Sequence, residues 1–522
     1  VKPRELVFAG LGALLVLAGA REIPIPYIST QQTTLEDGCR TPMTVLAAVA
    51  EKQRSAIIIL HGLSANRRIM LRLGEQLTDT FDRVYLLDLP GHGDSTEPFS
   101  YARAEECVAR AVATLARRGE INPDTTTLVG HSMGGAIAIR LADHFPVLAT
   151  IAISPAPIVL PRRMPSNLLV FSAQYDLPIL KRAAAELAQA AGGDRKASED
   201  FRQRRAFELD RVPRATHTSL LYDSGVLKET MEWIDDALRP ERIQTTENKD
   251  GQVSWDIVED NAHSRLQPRP LLGSVLGLCG LFLLFPACAS LCAMTFRPVG
   301  SEFGQSPSNG GPLLLRWLVA ALFSVCVLHY VVPLRALRMF TGDYLASLLL
   351  LAGIVLCALT WKEVQPALAF PPRATGMAAV LGFAAFLAAG AWLNWHVTYA
   401  WMNGPRWLRF VFLVPLLWPY CFAEEVTLGE PPKREEHRRR MLRFAFFLLL
   451  RLILWLACVF ALFLFASGQI LILLLGVYLA TFSILQRLGT DAIRRRTGSP
   501  AAAALFGAIL AAWFIAVVFP LT

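Results

Sequence analysis

The chain has 522 residues, of which 18% are charged and 53% hydrophobic. That charge content lies well below the ~25% of ordinary soluble domains, which excludes both a wholly water-soluble protein and a disordered one. The formal net charge of +8 comes from basic clusters between apolar segments, a placement that suits membrane orientation rather than nucleic-acid binding.

Residues 1–22 place Lys2 and Arg4 before the uncharged run LVFAGLGALLVLAGA and read as an N-terminal membrane anchor or signal-like segment. Residues 23–238 read as one soluble domain. Its apolar runs AIIIL (56–60), RVYLL (83–87), TTTLV (125–129), ATIAI (149–153) and NLLVF (167–171) are strands, and each runs into a Gly/Pro-rich turn or a helical pattern such as LKRAAAELAQAA (180–191). Continuous apolar strands alternating with amphipathic helices predict an α/β class: a doubly wound, mostly parallel sheet covered on both faces. Residues 194–205 are charge-dense and read as a solvated loop. Residues 239–270 read as a linker with one short strand at QVSWDIV (252–258).

From 271 to 522 the composition changes to that of an all-α transmembrane bundle. Long charge-free runs predict about eight C-terminal spans, nine with the N-terminal one. The run 410–423 is the shortest, and 452–486 is long enough for two spans joined at Ser467-Gly468-Gln469. Seven of the nine cysteines sit in apolar runs, where cysteine behaves as a small hydrophobe. The other two, Cys39 and Cys107, can pair only if the soluble domain faces an oxidising compartment. Glu424-Glu425, beside the basic stretch PKREEHRRR, reads as a solvated, salt-bridged loop, and Asn394 and His396 read as polar residues facing a bundle interior.

The sharpest motif is Gly130-His131-Ser132-Met133-Gly134, placed directly after a strand and directly before a helix. A G-x-S-x-G in that frame thrusts the serine out at the carboxyl edge of the sheet, where helix N–H groups face a developing anion. Asp176 ends the strand NLLVFSAQYD and His217 follows in ATHTSL, which is the nucleophile–acid–base order expected of such a sheet. A neutral imidazole takes the serine proton, and a carboxylate on its other nitrogen fixes the tautomer. The oxyanion donors are the backbone N–H groups of Leu63 and Met133. Asp210 and Asp223 are fallback acids, and Asp88 and Asp94 read as residues that hold the PGHG turn.

Together ILHGL (59–63), DLPGHGDS (88–95), VGHSMGG (129–135), SAQYDLP (172–178) and ATHTSL (215–220) resemble the α/β-hydrolase superfamily over roughly residues 40–238. The resemblance implies a triad of Ser132, Asp176 and His217 with Leu63 and Met133 in the oxyanion hole. It implies no substrate, because this fold hosts esterases, lipases, thioesterases and transferases alike. Only about ten residues, 158–167, stand where many such hydrolases carry a helical lid.

The expected function is a multi-pass membrane serine hydrolase of ester or thioester bonds, acting through an acyl-enzyme on a lipid or amphiphilic acyl substrate. The alternatives are an acyltransferase that uses the same acyl-Ser132, or a degenerate hydrolase serving as a sensor on a membrane bundle. No cofactor, metal or nucleic acid is expected. The hydrolase domain is expected on the non-cytoplasmic face, because with nine spans Lys2, Arg4, Arg297, Lys362, Arg373, Lys433, Arg434, Arg438, Arg439, Arg440, Arg443, Arg487, Arg494, Arg495 and Arg496 then collect on the opposite side, against Arg21, Arg265, Arg269, Arg335, Arg338, Arg406 and Arg409 beside the hydrolase.

Overall fold

The computed structural model describes residues 3–23, 29–47, 55–78, 81, 83–243, 270–298, 310–331, 335–429, 437–465 and 470–522. The strand expected at 252–258 and the turn expected at 467–469 lie outside the described residues. The chain forms two compact units. One comprises Val1–Ala20, Val275–Trp392 and Ala400–Phe519; the other comprises Arg21–Ser274, Leu393–Tyr399 and Pro520–Thr522. The first helix, α1 (Pro3–Glu22), lies almost wholly in the former.

In the second unit, the strands are β1 (Ser29–Leu35), β2 (Thr41–Ala47), β3 (Ala56–Leu60), β4 (Arg83–Leu87), β5 (Thr126–His131), β6 (Ala149–Ile153), β7 (Leu168–Ala173) and β8 (Phe207–Val212). They form one sheet in the order β1-β2-β4-β3-β5-β6-β7-β8. β2 runs antiparallel to β1 and β4, and every other neighbouring pair is parallel. All residues of β3, β5, β6 and β7 are buried, as a sheet covered on both faces requires.

The cover is α2 (Leu71–Leu77), α3 (Tyr101–Arg117), α4 (Met133–Leu141), α5 (Pro178–Ala191), α6 (Ser198–Arg202) and α7 (Ser224–Leu238). Ser100 caps α3 by accepting the Arg103 N–H at 3.0 Å, and Ala104, Cys107, Val108, Ala111, Val112 and Leu115 form its buried stripe at helical spacing. α5 stops at Gly192, whose φ of +79° suits a left-handed C-cap. The 194–205 stretch is not wholly a solvated loop: α6 buries Phe201 edge-on against Trp233, with ring centroids 4.8 Å apart. An aromatic residue inside the charge run is enough to anchor one helical turn.

Cys39, between β1 and β2, is bonded to Cys107 on α3, with their Cα atoms 5.5 Å apart and a sequence separation of 68. A bridge over a loop that long removes much of the freedom of the unfolded chain. Cys107→Ala is expected to destabilise this unit by about 2–4 kcal/mol, read as a lower urea midpoint than that of the oxidised protein. Equal midpoints for the oxidised wild type, the reduced wild type and the variant would contradict it.

The other unit is helical. Beyond α1 it holds α8 (Pro270–Phe296), α9 (Gly310–Tyr330), α10 (Gly342–Leu359), α11 (Trp361–Val364), α12 (Pro372–His396), α13 (Gly404–Leu428), α14 (His437–Phe465), α15 (Ile470–Leu474), α16 (Gly476–Thr497) and α17 (Pro500–Val518). Among the described residues, eight helices are long and apolar enough to cross a membrane: α1 and seven after residue 270. The short run 410–423 is the middle of the 25-residue α13. α16 is not among the eight, because its second half carries Arg487, Asp491, Arg494, Arg495 and Arg496.

Small residues let these helices approach closely. A Cβ on Gly12 of α1 would stand 2.7 Å from the Gly280 carbonyl of α8, and one on Gly353 of α10 would overlap the backbone of Tyr420 on α13. Glu5 of α1 pairs with Arg496 at 2.9 Å and accepts the Ser290 hydroxyl at 2.9 Å. Glu424 and Glu425 do not form a solvated loop. α13 continues through both, leaving them 5% and 1% exposed. Arg451 of α14 grips Glu424 with two bonds of 2.8 Å, and Arg487 of α16 reaches Glu425 at 3.1 Å and Asp491 at 2.7 Å. The cations come from helices far along the chain, so sequence proximity to the basic run misleads.

Candidate active site

β5 ends at His131, and Ser132 turns the chain into α4 with φ +52° and ψ −114°. That conformation is strained for a residue with a Cβ and persists only where its surroundings over-determine it. Two glycines make it possible. A Cβ at Gly130 would overlap the Gly134 carbonyl, and one at Gly134 would overlap the Leu60 carbonyl. Strand and helix therefore touch backbone to backbone around Ser132. Ser132 N–H donates to the Ile153 carbonyl at 2.9 Å, and the Ser132 carbonyl accepts from Ala136 and Ala156 at 3.0 Å.

Met133 is the first residue of α4 and is buried. On the other side, a Cβ on Gly62 would stand 3.0 Å from the Ser132 Cβ, so the loop carrying Leu63 runs directly over the serine. That loop is held by histidine rings rather than by their charge. His61 accepts the Leu89 N–H at 3.0 Å on Nε2 and donates from Nδ1 to the Gly62 carbonyl at 2.8 Å. His92 accepts the Ser64 N–H at 3.1 Å and donates to the Pro90 carbonyl at 2.8 Å. Burial lowers the His61 pKa, which keeps the ring neutral as these bonds require.

Asp176 lies just beyond β7, with its N–H donating to the Ala173 carbonyl at 3.2 Å. Its Oδ1 is 2.9 Å from Nδ1 of His217. A carboxylate only accepts, so Nδ1 of His217 carries the proton and Nε2 presents its lone pair. Burial works to raise the Asp176 pKa, but hydrogen bonds from His217 and Ser154 together with the His217 charge outweigh it and leave the carboxyl below its usual range. Burial, helped by repulsion from His217, pushes His131 down to about 3. The His131 ring packs against that of His217 at 4.7 Å between centroids and donates from Nε2 to its backbone carbonyl at 3.0 Å. A neutral His131 thus buttresses the His217 imidazole without adding charge.

The fold brings Asp176 and His217 into hydrogen-bond contact and sets the Leu63 loop and Met133 on either side of Ser132. Of the fallback acids, Asp223 instead caps α7 by accepting from Gly225 and Val226. Asp88 and Asp94 clasp the buried Arg67 guanidinium; Asp94 bonds it at 2.7 Å, and Asp88 also accepts the Arg67 N–H at 2.8 Å. Asn394, expected in a bundle interior, lies in the last residues of α12, which from Leu393 onward belong to the unit that holds the sheet. Its carbonyl accepts from Arg68 at 2.7 Å, while Thr398 and Tyr399 bond the Asn66 side chain at 2.8 and 3.0 Å. Nothing in the spacing of an apolar run announces such a tie. The side chain of His396 lies outside the described residues.

Ser154 carries no motif either. It follows β6 with φ +44°, donates to Asp176 Oδ2 at 2.5 Å and lies 2.9 Å from Nδ1 of His217. Its only sequence signal is a hydroxyl at the end of the strand ATIAI. Loss of one bond to a buried carboxylate costs about 1.5–3 kcal/mol. Because the folded Asp176 pKa is depressed, its stabilisation exists above the ordinary carboxylate pKa and disappears as pH falls through the lowered value. Ser154→Ala should therefore show a stability deficit in urea that is full at pH 7 and shrinks in acid. A deficit that grew as pH fell would refute this account of Asp176.

Residues 57–270 match the model of the family described as "Alpha/beta hydrolase family", and with the sheet and elbow above, the chain carries an α/β-hydrolase domain. Among curated proteins, it is 37% identical over 113 residues to a "Probable alcohol acetyltransferase" of Saccharomyces cerevisiae, covering 21% of this chain and 32% of that one. It is 34% identical over 107 residues to a "Pimeloyl-[acyl-carrier protein] methyl ester esterase" of Vibrio cholerae, covering 20% and 38%. The matches thus span about a third of the length of these relatives. A solved predicted CIB-like hydrolase from Thermoplasma acidophilum is 18% identical with a TM-score of 0.33, over 40% of this chain and 99% of that one.

Proposed function

We propose that the chain is a membrane-embedded serine hydrolase that cleaves carboxylic ester or thioester bonds through an acyl-enzyme. The observation that carries this reading is the His217–Asp176 contact of 2.9 Å in a chain whose Ser132 is strained into the elbow conformation. In the mechanism, Nε2 of His217 takes the Ser132 proton as Oγ attacks the acyl carbonyl. The N–H groups of Leu63 and Met133 receive the oxyanion. His217 then protonates the leaving alcohol or thiol, and water attacks the acyl-Ser132 by the same route. Asp176 holds the tautomer and offsets the imidazolium charge.

The substrate class proposed is a lipid or other amphiphilic acyl compound, supported by the scarcity of chain between β6 and β7 for a lid and by the eight apolar helices. The hydrolase unit is placed on the non-cytoplasmic side, which the Cys39–Cys107 bridge supports, since such bonds persist in oxidising compartments. Interception of the acyl-Ser132 by an alcohol is the second reading, favoured by the likeness to a protein named as an alcohol acetyltransferase.

Ser132→Ala is expected to lower kcat on a simple aryl ester by several orders of magnitude in a folded protein, with His217→Ala nearly as severe and Asp176→Asn less so. Retention of most activity by Ser132→Ala would remove the assignment. Added alcohols that divert product from acid to new ester would move the reading to acyl transfer. For orientation, Glu199→Cys should react with an impermeant thiol reagent on intact cells. Protection until the membrane is broken would reverse the placement.

A further inference from the structure

Exposed apolar side chains are scarce on the hydrolase unit, and they are not spread evenly. Among the described residues from 29 to 243, the large hydrophobic side chains that stand exposed are Tyr101, Val159, Leu160, Tyr175 and Ile179. All but Tyr101 belong to two stretches, one after β6 and one running from β7 into α5. β6 and β7 are neighbouring parallel strands, with Ile153 paired to Phe171, so the chain leaving their carboxyl ends emerges side by side. The two stretches also share a core: Ile158 and Met164 pack on the cluster that holds Ala184 and Leu187 of α5. Val159 is 87% exposed and Tyr175 62%, apolar area that contributes nothing to folding where it stands.

The exposed charges that the two stretches themselves carry are basic. Arg162 and Arg163 follow Leu160, Lys181 and Arg182 follow Ile179, and all four are exposed. Asp143 accepts from the backbone N–H groups of Arg162 and Arg163 at 3.2 and 3.1 Å, which fixes the loop and leaves the guanidinium groups to other partners. Lys181 also lines, with Arg211, an open cleft of about 380 Å³ at the ends of β7 and β8. Each stretch also carries a hydrogen-bond partner of the His217 network, since Ser154 follows β6 and Asp176 lies between Tyr175 and Ile179.

We propose that this edge seats on the surface of a phospholipid bilayer containing anionic lipid. The tips Val159, Leu160, Tyr175 and Ile179 enter the interface, and Arg162, Arg163, Lys181 and Arg182 lie on headgroup phosphates. Apolar area leaves water on insertion, basic side chains are drawn to the negative surface potential, and their aliphatic stems follow the tips inward. A chain with eight helices able to cross a membrane keeps such a surface at high effective concentration. An acyl ester in that leaflet then meets the candidate triad without a lid, because the bilayer excludes water in its place. The substrate half of this proposal rests on Ser132 being the nucleophile; the bilayer contact does not.

The test uses the full chain in nanodiscs of phosphatidylcholine with about one-third phosphatidylglycerol, with the free cysteines replaced and one spin label introduced at Val159→Cys, Ile179→Cys or Glu199→Cys. Labels at 159 and 179 should collide several-fold more with lipid-soluble oxygen than with a water-soluble nickel chelate, and the label at 199 should do the reverse. An aqueous signature at both 159 and 179 overturns the bilayer contact. In the double variant Val159→Glu/Leu160→Glu, the rate on a bilayer-resident long-chain ester relative to a soluble short aryl ester should fall at least tenfold. An unchanged ratio overturns the substrate half. A wild type that resists fluorophosphonate labelling strikes the hydrolase reading instead, while the spin-label depths still decide the surface.

Discussion

The hydrolase unit is organised around a single backbone constraint, the positive φ forced on Ser132 between β5 and α4. A residue held there sits above its stable alternatives by a few kcal/mol, so the surroundings must leave it nowhere else to go. Gly130 and Gly134 do this by letting strand, helix and the end of β3 close to contact distance. The fully buried parallel strands on either side supply the rigidity, and their carboxyl ends then deliver Ser154, Asp176 and the Leu63 loop to one edge. Without the elbow these groups would be ordinary loop residues.

A second constraint is electrostatic. The Nδ1 proton of His217 is fixed in place by three neighbours. Asp176 accepts it, Ser154 keeps the carboxylate ionised and aligned, and the neutral His131 ring supports the other face. Arg67 plays a similar structural part near the Leu63 loop, fastening Asp88 and Asp94, which flank the His92 turn.

Much of this was legible in the sequence, because local chemistry wrote it there. The apolar runs of β3 to β7 and the strand–turn–helix elbow each follow from what a short stretch must do by itself. What was not legible depends on residues meeting from far apart. Ser154 looks like any strand-end hydroxyl until Asp176 stands over it. Asn66 gives no hint of Thr398 and Tyr399, which lie 332 and 333 residues further on. Glu424 and Glu425 read as solvated beside a basic run, yet their arginines are on α14 and α16. Buried charges persist in such a place only when paired and hydrogen-bonded, and pairing of that kind is a property of the bundle rather than of a segment.

The most direct test of the account is to locate the reactive serine. Full-length protein treated with a fluorophosphonate, then digested and examined by peptide mass spectrometry, should carry one adduct, on the peptide holding Ser132. The adduct should disappear in His217→Ala, because without a base the hydroxyl is not activated. An adduct on another serine, or labelling of Ser132 that is indifferent to His217, would contradict the account.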